Sequence, residues 1–359
     1  MKVAHLPTSV GGMAWALAQG EKSLGLDSKV FVGINNWLKY PADEIILDEI
    51  SSAAFSKIKY GVKALIKALE IANSFDVFHF NMGQTLINYS KYGINNLDLP
   101  FYSGKGKIVV TYNGCDARQK YKSMNFYDIT MCSNANCSGG ICNNHKVEEN
   151  KRNSIQKFDK YADVIFAVNP DLFNYLPSRT KFLPYAVSGI GTSNEFYYHK
   201  AKGPIKIIHS PTNREVKGSH QIIEAVEKVN RRYDRILELE LIENISHSEA
   251  LNKYAEADLI IDQILSGWYG GFAVEVMQMK KPVMAYIREA DLKYIPHGMA
   301  ADVKQAIINT DPNNIYDRLC EIVENQDILN TYSKAGYEYA NTYHDPAKVA
   351  QITKAAYEE

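Results

Sequence analysis

The stretch SGWYGGFAVEVMQMKKPVMAY, residues 266–286, combines two adjacent glycines, an apolar run, a Lys-Lys-Pro sequence and a second apolar run. This order predicts a loop, a helix, a turn and a strand, as in the repeating unit of an α/β domain. Glu275 stands between Val274 and Val276 in the apolar run, where an ionised carboxylate is costly to bury without a partner. We therefore expect Glu275 to reach a polar ligand at the end of the sheet.

Short apolar strands alternate with amphipathic helices on both sides of this stretch. The predicted strands are 3–6, 29–33, 76–80, 106–114, 163–170, 205–209, 236–241, 258–264 and 281–287, and helices are predicted from about Asp302 onward. The order strand, glycine-bearing turn, helix, strand is the unit from which parallel sheets are built. The sequence therefore predicts an α/β protein of two doubly wound, Rossmann-like domains facing each other across a cleft, where ligands bind at the carboxyl ends of the strands.

A polar, turn-rich stretch at 183–204 separates the two sets of strands. We expect an N-terminal domain over 1–190, with an irregular cysteine-containing excursion at about 115–150, and a C-terminal domain over 200–340. The final helix, 341–359, is expected to pack back toward the N-terminal domain.

The composition is that of a globular chain and disfavours several functions. Of 359 residues, 46% are hydrophobic, and 40 Lys and Arg oppose 41 Asp and Glu, for a formal net charge of -1. Nucleic-acid-binding proteins usually carry a basic excess, so no nucleic-acid partner is expected. No run approaches the roughly 18 apolar residues of a membrane span, and the N-terminus lacks the pattern of a signal peptide. We expect a cytoplasmic protein.

A candidate phosphate site follows the predicted strand 205–209. Arg214 and Lys217 lie in the loop, and Gly218 directly precedes the next helix. A helix N-terminus presents unpaired N–H groups and a partial positive charge, and a guanidinium and an ammonium add two phosphate-binding cations. These residues indicate a pyrophosphate site. The alternative is a solvated surface loop, because short motifs often match by chance.

A candidate ribose site lies within 266–286. Gly270 and Gly271 let the backbone approach a ligand closely. Glu275 follows about one turn into the helix, where its carboxylate can accept hydrogen bonds from the two vicinal hydroxyls of a ribose. The alternative is a carboxylate that only stabilises the helix N-terminus.

The two segments HSPTNREVKGSHQIIEAVEKV (209–229) and GWYGGFAVEVMQMKKPVMAYI (267–287) together resemble the donor-binding half of retaining glycosyltransferases of the GT-B class. Within that class they are similar to family 4. The resemblance implies that Arg214 and Lys217 grip the diphosphate of a nucleotide-sugar donor and that Glu275 holds its ribose. It also implies that VGG at 10–12 is a glycine loop that closes on the donor phosphates and the acceptor. The expected donor-binding residues are therefore Gly11, Gly12, Arg214, Lys217, Gly218, Gly270, Gly271 and Glu275.

The resemblance also implies a mechanism. The bond between the sugar and the diphosphate loosens, and an acceptor hydroxyl attacks from the same face and gives its proton to the departing phosphate. Stabilising that leaving group is the main task of the protein. Arg214 and Lys217 take the role that a divalent metal has elsewhere, so neither a catalytic metal nor another cofactor is expected. The acceptor is expected to be a glycan or a lipid-linked or protein-linked molecule.

The chain departs from the family at three positions. The family commonly has two glutamates eight positions apart, and the first, which lies near the transferred sugar, falls here on Gly267. Asn113 and Asn81 stand where many relatives carry histidine, and asparagine cannot act as a base near neutral pH. The remaining polar candidates for acceptor or sugar contacts are Asp116, Arg118 and His79, each with a structural hydrogen bond as its alternative. The catalytic candidates are thus Arg214, Lys217, Asn113, Asp116 and His79.

Four of the five cysteines cluster in the excursion, which also contains a histidine. Three of them, Cys132, Cys137 and Cys142, form with His145 a possible set of structural zinc ligands on a loop short of apolar residues; the fourth is Cys115. Their spacing is looser than that of usual zinc-binding pairs. Free thiols or a partial disulfide are the alternative.

The segment KIKYGVKALIK, residues 57–67, forms part of a basic helix. Such a helix can lie on anionic lipid, as in some relatives with lipid-linked acceptors, which would place the protein peripherally at the inner face of the membrane. A solvated helix face is favoured here, because the net charge gives no support to membrane contact.

The sequence favours a retaining glycosyltransferase of glycan or polysaccharide biosynthesis. A sugar-nucleotide epimerase on the same scaffold is one alternative, although no acid/base residues stand out at the sugar. A nucleotide-sugar-binding protein without activity is another, because of Gly267. A nicotinamide dehydrogenase is disfavoured, since HLPTSVGGMAW at 5–15 lacks the Gly-x-Gly-x-x-Gly spacing.

Overall fold

Two parallel β-sheets organise the chain, each in a separate unit. The computed structural model describes residues 1–34, 40–47, 54–90, 93–188 and 203–359. The first unit comprises Met1–Gln119, Asn144–Ser188 and Asp345–Glu359, and the second comprises Lys120–Asn143 and the described part of Gly189–His344.

The sheet of the first unit contains seven of the described strands, in the order β3-β2-β1-β4-β5-β6-β7, all paired in parallel. The strands are β1 (Lys2–Leu6), β2 (Asp27–Ile34), β3 (Glu44–Leu47), β4 (Val77–Asn81), β5 (Lys107–Tyr112), β6 (Val164–Ala167) and β7 (Lys181–Phe182). Every residue of β4 is buried, as expected for a parallel strand that is covered on both faces.

The sheet of the second unit contains five of the described strands, in the order β12-β11-β10-β8-β9, again all parallel. These strands are β8 (Ile205–His209), β9 (Leu237–Leu241), β10 (Leu259–Ile261), β11 (Val283–Ala285) and β12 (Ile307–Asn309). Their order places β8 and β10 side by side, so the loops that follow these two strands leave the sheet at the same edge.

The helices connect and cover the strands. Those described are α1 (Met13–Ser23), α2 (Ala54–Ser74), α3 (Leu99–Tyr102), α4 (Lys120–Phe126), α5 (His145–Tyr161), α6 (Arg214–Lys217), α7 (Ser219–Arg232), α8 (His247–Ala255), α9 (Gly271–Gln278), α10 (His297–Ala306), α11 (Ile315–Glu324), α12 (Asp327–Tyr343) and α13 (Pro346–Glu358). The terminal helix α13 belongs to the first unit and packs on α1.

A buried polar network joins α13 to the sheet of the first unit. Glu21 of α1 is fully buried and accepts hydrogen bonds from Ser28 at 2.7 Å, Thr353 at 3.0 Å and Tyr357 at 2.7 Å, and it pairs with His5 Nε2 at 2.8 Å. Burial raises the pKa of Glu21, but the His5 ring and the other donors outweigh it and lower that pKa to about 2. The carboxylate is therefore ionised and held by four side chains.

His79 belongs to the same network, which bears on its candidacy as a catalytic residue. It is fully buried in β4, with Nδ1 2.6 Å from Tyr357 OH and Nε2 2.6 Å from Thr111 Oγ1. Burial lowers the pKa of His79 to about 3, so the ring is neutral near pH 7. The structure favours the structural alternative for His79 over the catalytic one.

The structure differs from the sequence prediction in its grouping of the cysteine-containing excursion. Residues 120–143 belong to the second unit, although the sequence places them in the N-terminal domain with the strands that flank them. The difference has a physical cause, because this segment contacts α6 and accepts a hydrogen bond from Arg288. A second difference is β12, which interrupts the stretch predicted as helical after Asp302.

Candidate functional site

The loop that is predicted to bind phosphate, residues 210–218 of the second unit, is shaped by a capped helical turn and a glycine. The Asn213 side chain accepts a hydrogen bond from Val216 N at 3.1 Å and caps α6. Gly218 has φ of 81°, and a Cβ at this position would lie 2.6 Å from Ile264 Cγ1. Only glycine fits there, so α6 ends and α7 begins at a fixed place beside the end of β10.

A buried histidine fixes the start of α7. His209, the last residue of β8, lies 2.7 Å from Ile261 O through Nδ1 and 2.7 Å from Ser219 Oγ through Nε2. Burial lowers the pKa of His209 to about 4, so the ring is neutral and links two neighbouring strands to the first residue of the helix.

Lys217 and the second glycine segment meet at an aspartate that the sequence pattern did not single out. Asp262 directly follows β10 and is fully buried. Its Oδ1 pairs with Lys217 Nζ, and its Oδ2 accepts a hydrogen bond from Gly270 N at 2.8 Å. A Cβ on Gly270 would lie 3.7 Å from Lys217 Nζ. The structure therefore brings the predicted residues Lys217, Gly218 and Gly270 together at one edge of the sheet.

Aromatic residues fix the second glycine segment to its own unit. Trp268 and Tyr269 are buried, and Tyr269 OH lies 2.6 Å from Tyr339 OH and 2.8 Å from His344 Nε2, both at the end of α12. The next residues, Gly270 and Gly271, cap and begin α9. The glycines thus present the backbone of an anchored loop.

Arg214 lies on the exposed side of the same loop and is paired with an acid. Its Nε donates to Glu243 Oε1 at 2.9 Å, and its Nη2 donates to Glu243 Oε2, so the pair is bidentate. The hydrogen bond and charge of Arg214 lower the pKa of Glu243. A phosphate that binds Arg214 therefore competes with Glu243 or binds alongside it.

Glu275 also has a partner that the sequence pattern did not reveal. It lies one turn into α9, and its Oε1 is 2.6 Å from Nε2 of His247, the first residue of α8. The hydrogen bond to Glu275 raises the pKa of His247. The glutamate is not isolated among apolar side chains, because an imidazole at the end of the sheet faces it.

The position expected for a first glutamate is filled by Arg288. Gly267 has φ of 76°, and a Cβ there would lie 2.4 Å from Arg288 Nη1. The guanidinium donates to Asp291 Oδ2 at 3.0 Å and to Ile129 O at 2.8 Å, and it stacks over the Tyr127 ring at 3.6 Å. A glutamate at 267 is excluded as long as Arg288 keeps this position.

The same guanidinium ties the excursion to the second unit. Tyr127 and Ile129 belong to the excursion, and Asn134 Nδ2 donates to Oε2 of Glu215 in α6. The segment therefore lies against the short helix that carries Arg214 and Lys217. The contacts with Arg288 and Glu215 of the second unit hold the segment in place.

The predicted zinc ligands are not brought together. Within the described residues, the three sulfurs of Cys132, Cys137 and Cys142 do not all lie within 4.8 Å of one another, and all five cysteines are free thiols. His145 begins α5 in the first unit. The arrangement of these residues does not fit a zinc site.

Among the described residues, a different group does have metal-ligating atoms that all lie within 4.8 Å of one another. It consists of His5, Glu21 and His79. Each lies fully buried. The facing atoms of Glu21 and His79 already bond to hydroxyls or to His5, so this group is an internal network.

The remaining predicted residues lie in the first unit, near the ends of its strands. Asp116 accepts hydrogen bonds from Asn113 N at 2.9 Å and from Gly114 N at 2.5 Å, which fixes the turn after β5. Arg118 forms a buried bidentate pair with Asp171, at 2.6 and 2.9 Å. These contacts are structural, whereas Asn113 Oδ1 is buried without a hydrogen-bond partner among the described residues.

The predicted N-terminal glycine loop is a 3₁₀ turn at Val10–Gly12, directly before α1. Gly11 and Gly12 have φ of 72° and 69°, in the left-handed region that favours glycine. A Cβ on Gly11 would meet nothing within 4 Å, whereas a Cβ on Gly12 would lie 3.3 Å from Tyr40 Cδ1, so the turn is open at Gly11 and covered at Gly12.

Comparison with solved structures shows the fold. Sucrose-phosphate synthase from Thermosynechococcus elongatus is similar, with a TM-score of 0.59 and 13% identity, over 100% of this chain and 98% of that chain. HepE from Anabaena in complex with UDP gives a TM-score of 0.59 at 12% identity over 100% of both chains. UDP-GlcNAc 2-epimerase from Neisseria meningitidis, bound to UDP-GlcNAc, gives 0.51 at 12% identity over 99% of both chains.

At these identities the similarity defines the fold alone. The predicted fold class, an α/β protein of two Rossmann-like units as in the GT-B fold, is confirmed. No protein-family model and no curated protein sequence matches the chain. No helix among the described residues is both long and apolar enough to cross a bilayer.

Proposed function

We propose that the chain is a retaining, metal-independent glycosyltransferase, similar to family 4, that moves a sugar from a nucleotide diphosphate to an acceptor hydroxyl. The observation that supports this most is the Asp262 carboxylate, which accepts from both Lys217 and Gly270. This carboxylate joins two sequence segments, each of which is expected to bind the same donor, into one site.

The donor diphosphate is bound in this proposal by Lys217, by Arg214 and by the open N–H groups at the start of α7. Lys217 is paired with the buried Asp262. This pairing restricts the motion of the lysine side chain and keeps its charge oriented. Such preorganised charge stabilises a departing diphosphate without reorganisation during the reaction. Two cations at this position do the work that a divalent ion would do.

Glu275 binds the donor ribose in this proposal. A ribose presents two vicinal hydroxyl donors, and a carboxylate accepts both. His247 already holds one carboxylate oxygen of Glu275, which fixes the orientation of the acid before the nucleotide arrives. We therefore assign His247 as a positioning residue that the sequence did not reveal.

The transfer step uses no protein nucleophile. The bond between the anomeric carbon and the phosphate oxygen breaks, and the acceptor oxygen bonds to the same carbon on the same face. The acceptor proton passes to the departing phosphate oxygen, and the charge that develops there is balanced by Lys217 and Arg214. The acceptor, a glycan or a lipid-linked or protein-linked molecule, is selected outside this donor site.

A panel of sugar nucleotides, assayed with and without acceptors, tests the proposal. Nucleotide release that rises with acceptor, together with a product that keeps the anomeric configuration of the donor, supports retaining transfer. Formation of an epimer would instead support the epimerase alternative, whose fold is shared by UDP-GlcNAc 2-epimerase. Tight binding without turnover would identify a binding protein.

Variants of two lysines test whether the turnover measured in the panel depends on the proposed donor site. Lys217→Ala is expected to lower turnover by about a hundredfold or more, since it removes one stabilising cation from the leaving group. Lys228→Ala, on the exposed face of α7, is the matched control and is expected to act like the wild type. Near-normal turnover of the Lys217→Ala variant would contradict the assignment of Lys217 to the stabilisation of the leaving group.

A further inference from the structure

The excursion, residues 120–143 of the second unit, lies against the short helix that carries the two predicted phosphate-binding cations. Two 3₁₀ turns of the excursion contact α6. Between these turns, Asn134 donates from Nδ2 to Oε2 of Glu215 in α6. Asn134 Oδ1 accepts a hydrogen bond from Asn136 N at 2.8 Å. Both ends of the Asn134 amide are therefore bonded, and its donor is directed at α6.

Helix α6 needs support from outside, because it has a single turn. It spans four residues, Arg214–Lys217, and isolated helices shorter than about 12 residues are marginal in water. The Asn213 side chain caps the start of α6, and Gly218 ends it. The excursion supplies a further contact at Glu215. The orientation of α6 therefore depends on the excursion as well as on the loop itself.

The charge of Glu215 makes this contact relevant to phosphate binding. Glu215 stands between Arg214 and Lys217 in the chain, and each of these cations is already paired with another acid of the second unit. An unrestrained Glu215 carboxylate would compete with a diphosphate for either cation and would repel the diphosphate directly. The amide of Asn134 restrains this carboxylate at the excursion.

The excursion is anchored at a second place, beside the other donor segment. The backbone N of Arg288 donates to Gly267 O at 2.9 Å, so Arg288 is fixed to the segment 266–271. Its guanidinium donates to Ile129 O at 2.8 Å and stacks 3.6 Å over the Tyr127 ring. The excursion therefore borders both of the sequence segments that are proposed to bind the donor.

Hydrogen bonds close the excursion on itself. Asn143, its last residue, accepts from Lys120 Nζ at its start and from Tyr121 OH at 2.9 Å. Asn143 Nδ2 donates to Ala135 O at 2.9 Å. The contacts at α6 and at Arg288 thus belong to one closed loop, and both ends of this loop continue into the first unit.

We propose that the excursion positions α6 for the donor diphosphate, with Asn134 as the positioning residue that acts through Glu215. This role rests on the proposed function and deepens it, because it assigns part of the diphosphate affinity to a residue outside the donor site. It is also reciprocal. If the closed excursion favours the bound diphosphate, the diphosphate favours the closed excursion by the same factor.

Calorimetric titration of the full chain tests the proposal. UDP, GDP, ADP and dTDP are titrated first, and the tightest binder is then compared with its nucleoside. Asn134→Ala is expected to weaken the diphosphate about fivefold and to leave the nucleoside unchanged, because α6 is assigned to the phosphates alone. Asn136→Ala changes an exposed asparagine two residues further on. It is the matched control and is expected to bind like the wild type.

A double-mutant cycle tests whether Asn134 acts through Glu215. In a Glu215→Ala background, Asn134→Ala is expected to cost no further diphosphate affinity, because the restrained carboxylate is already absent. A structural role of Asn134 elsewhere in the excursion would give the same cost in both backgrounds. Asn134→Ala is also expected to keep the wild-type melting temperature.

The thiol of Cys137 gives a second measurement, which needs no variant. It is buried in the excursion, so a thiol reagent labels it only when the excursion opens. The bound diphosphate is expected to slow this labelling about fivefold, and the nucleoside is expected to leave it unchanged. Cys115, which is exposed in the first unit, is expected to keep its labelling rate. Peptide mass spectrometry separates the two thiols.

Wild-type diphosphate affinity in Asn134→Ala, or labelling of Cys137 that ignores the diphosphate, would overturn the positioning role and leave the donor site in place. Equal weakening of the diphosphate and the nucleoside would also overturn it, since the loss would then not belong to α6. Absence of wild-type binding by all four diphosphates would contradict the donor site itself, and the positioning role with it.

Discussion

In the proposed donor site, the pair formed by Glu275 and His247 is expected to determine how ligand binding responds to pH. Its hydrogen bond raises the pKa of His247 above the usual value. That pair therefore stabilises the fold fully only below the unfolded-state pKa of about 6.5, and the stabilisation is lost as pH rises through the folded-state pKa. At low pH the protonated imidazole also holds Glu275 more firmly against a competing ribose.

We predict that the affinity for a nucleoside diphosphate rises between about pH 6 and about pH 8 as His247 loses its proton. His247→Gln is expected to remove this dependence, and His297→Gln, which changes an exposed histidine at the start of α10 in the same unit, is expected to keep it. Calorimetric titration at several pH values measures both. An unchanged pH profile in the His247 variant would show that the pair does not govern the ribose contact.

Gly267 and Arg288 give a second test at the scale of single residues. Gly267→Ala is expected to destabilise the protein, because its Cβ would meet the guanidinium and its φ is positive. In an Arg288→Ala background the collision disappears and only the backbone cost of about 1 kcal/mol remains. We predict a coupling of about 1–3 kcal/mol between the two substitutions in urea unfolding. Equal costs of Gly267→Ala in both backgrounds would contradict the packing of Arg288 against Gly267.

At the scale of residues, the sequence predicts which residues lie together where their types stand in a local pattern. Lys217, Gly218 and Gly270 are recognisable from their positions between a strand and a helix, and the structure brings them together. Asp262 was missed although it follows an apolar strand directly, which is a readable signal. Arg288 could not be found, because only the folded chain brings it to Gly267, 21 positions away.

At the scale of elements, the Glu21 network determines how α13 is held. Four side chains direct bonds to one buried carboxylate, two of them from α13. Glu21→Gln places an amide N–H₂ against one of these donors, and it removes the charge. We predict a loss of about 3 kcal/mol in the free energy of unfolding at pH 7, and earlier proteolytic cleavage within α13.

Two further variants test whether the loss of stability belongs to the Glu21 carboxylate and its donors. Tyr357→Phe removes one donor and is expected to cost about 1 kcal/mol, while Glu338→Gln, on an exposed face of α12, is expected to cost nothing measurable. Because the pKa of Glu21 is lowered to about 2, the stabilisation exists above the unfolded pKa and fades as pH falls toward 2. A difference between wild type and Glu21→Gln that stays constant down to that pH would contradict the stabilising role of the charge.

Most strands were predictable because buried parallel strands are short apolar runs with recognisable turns. The predicted strands do not include β3, β7 or β12. The three residues of β12 continue an apolar pattern that also suits a helix. The net charge of the chain favours a solvated outer face for α2 in the sequence. The exposure of Ile58 and Ile66 depends on which face the core covers, which the sequence pattern alone does not decide.

At the scale of the whole molecule, the order of the sequence does not predict which unit contains the excursion. Residues 120–143 stand between strands of the first unit, yet they belong to the second. Arg288 and Glu215 supply contacts that hold them there, and they lie 159 and 81 positions from Ile129 and Asn134, to which they bond. Contacts of that range depend on the folded second unit, whereas the class of the fold is set by repeated local alternation.

In the proposed donor site, Lys217 and Glu275 bind two parts of one nucleotide. Calorimetric titration of wild type, Lys217→Ala and Glu275→Ala with a nucleoside diphosphate and with the corresponding nucleoside separates their two roles. We predict that Lys217→Ala weakens the diphosphate by about tenfold or more and leaves the nucleoside unchanged, while Glu275→Ala weakens both. Wild-type affinity of both variants for the diphosphate would contradict the shared site.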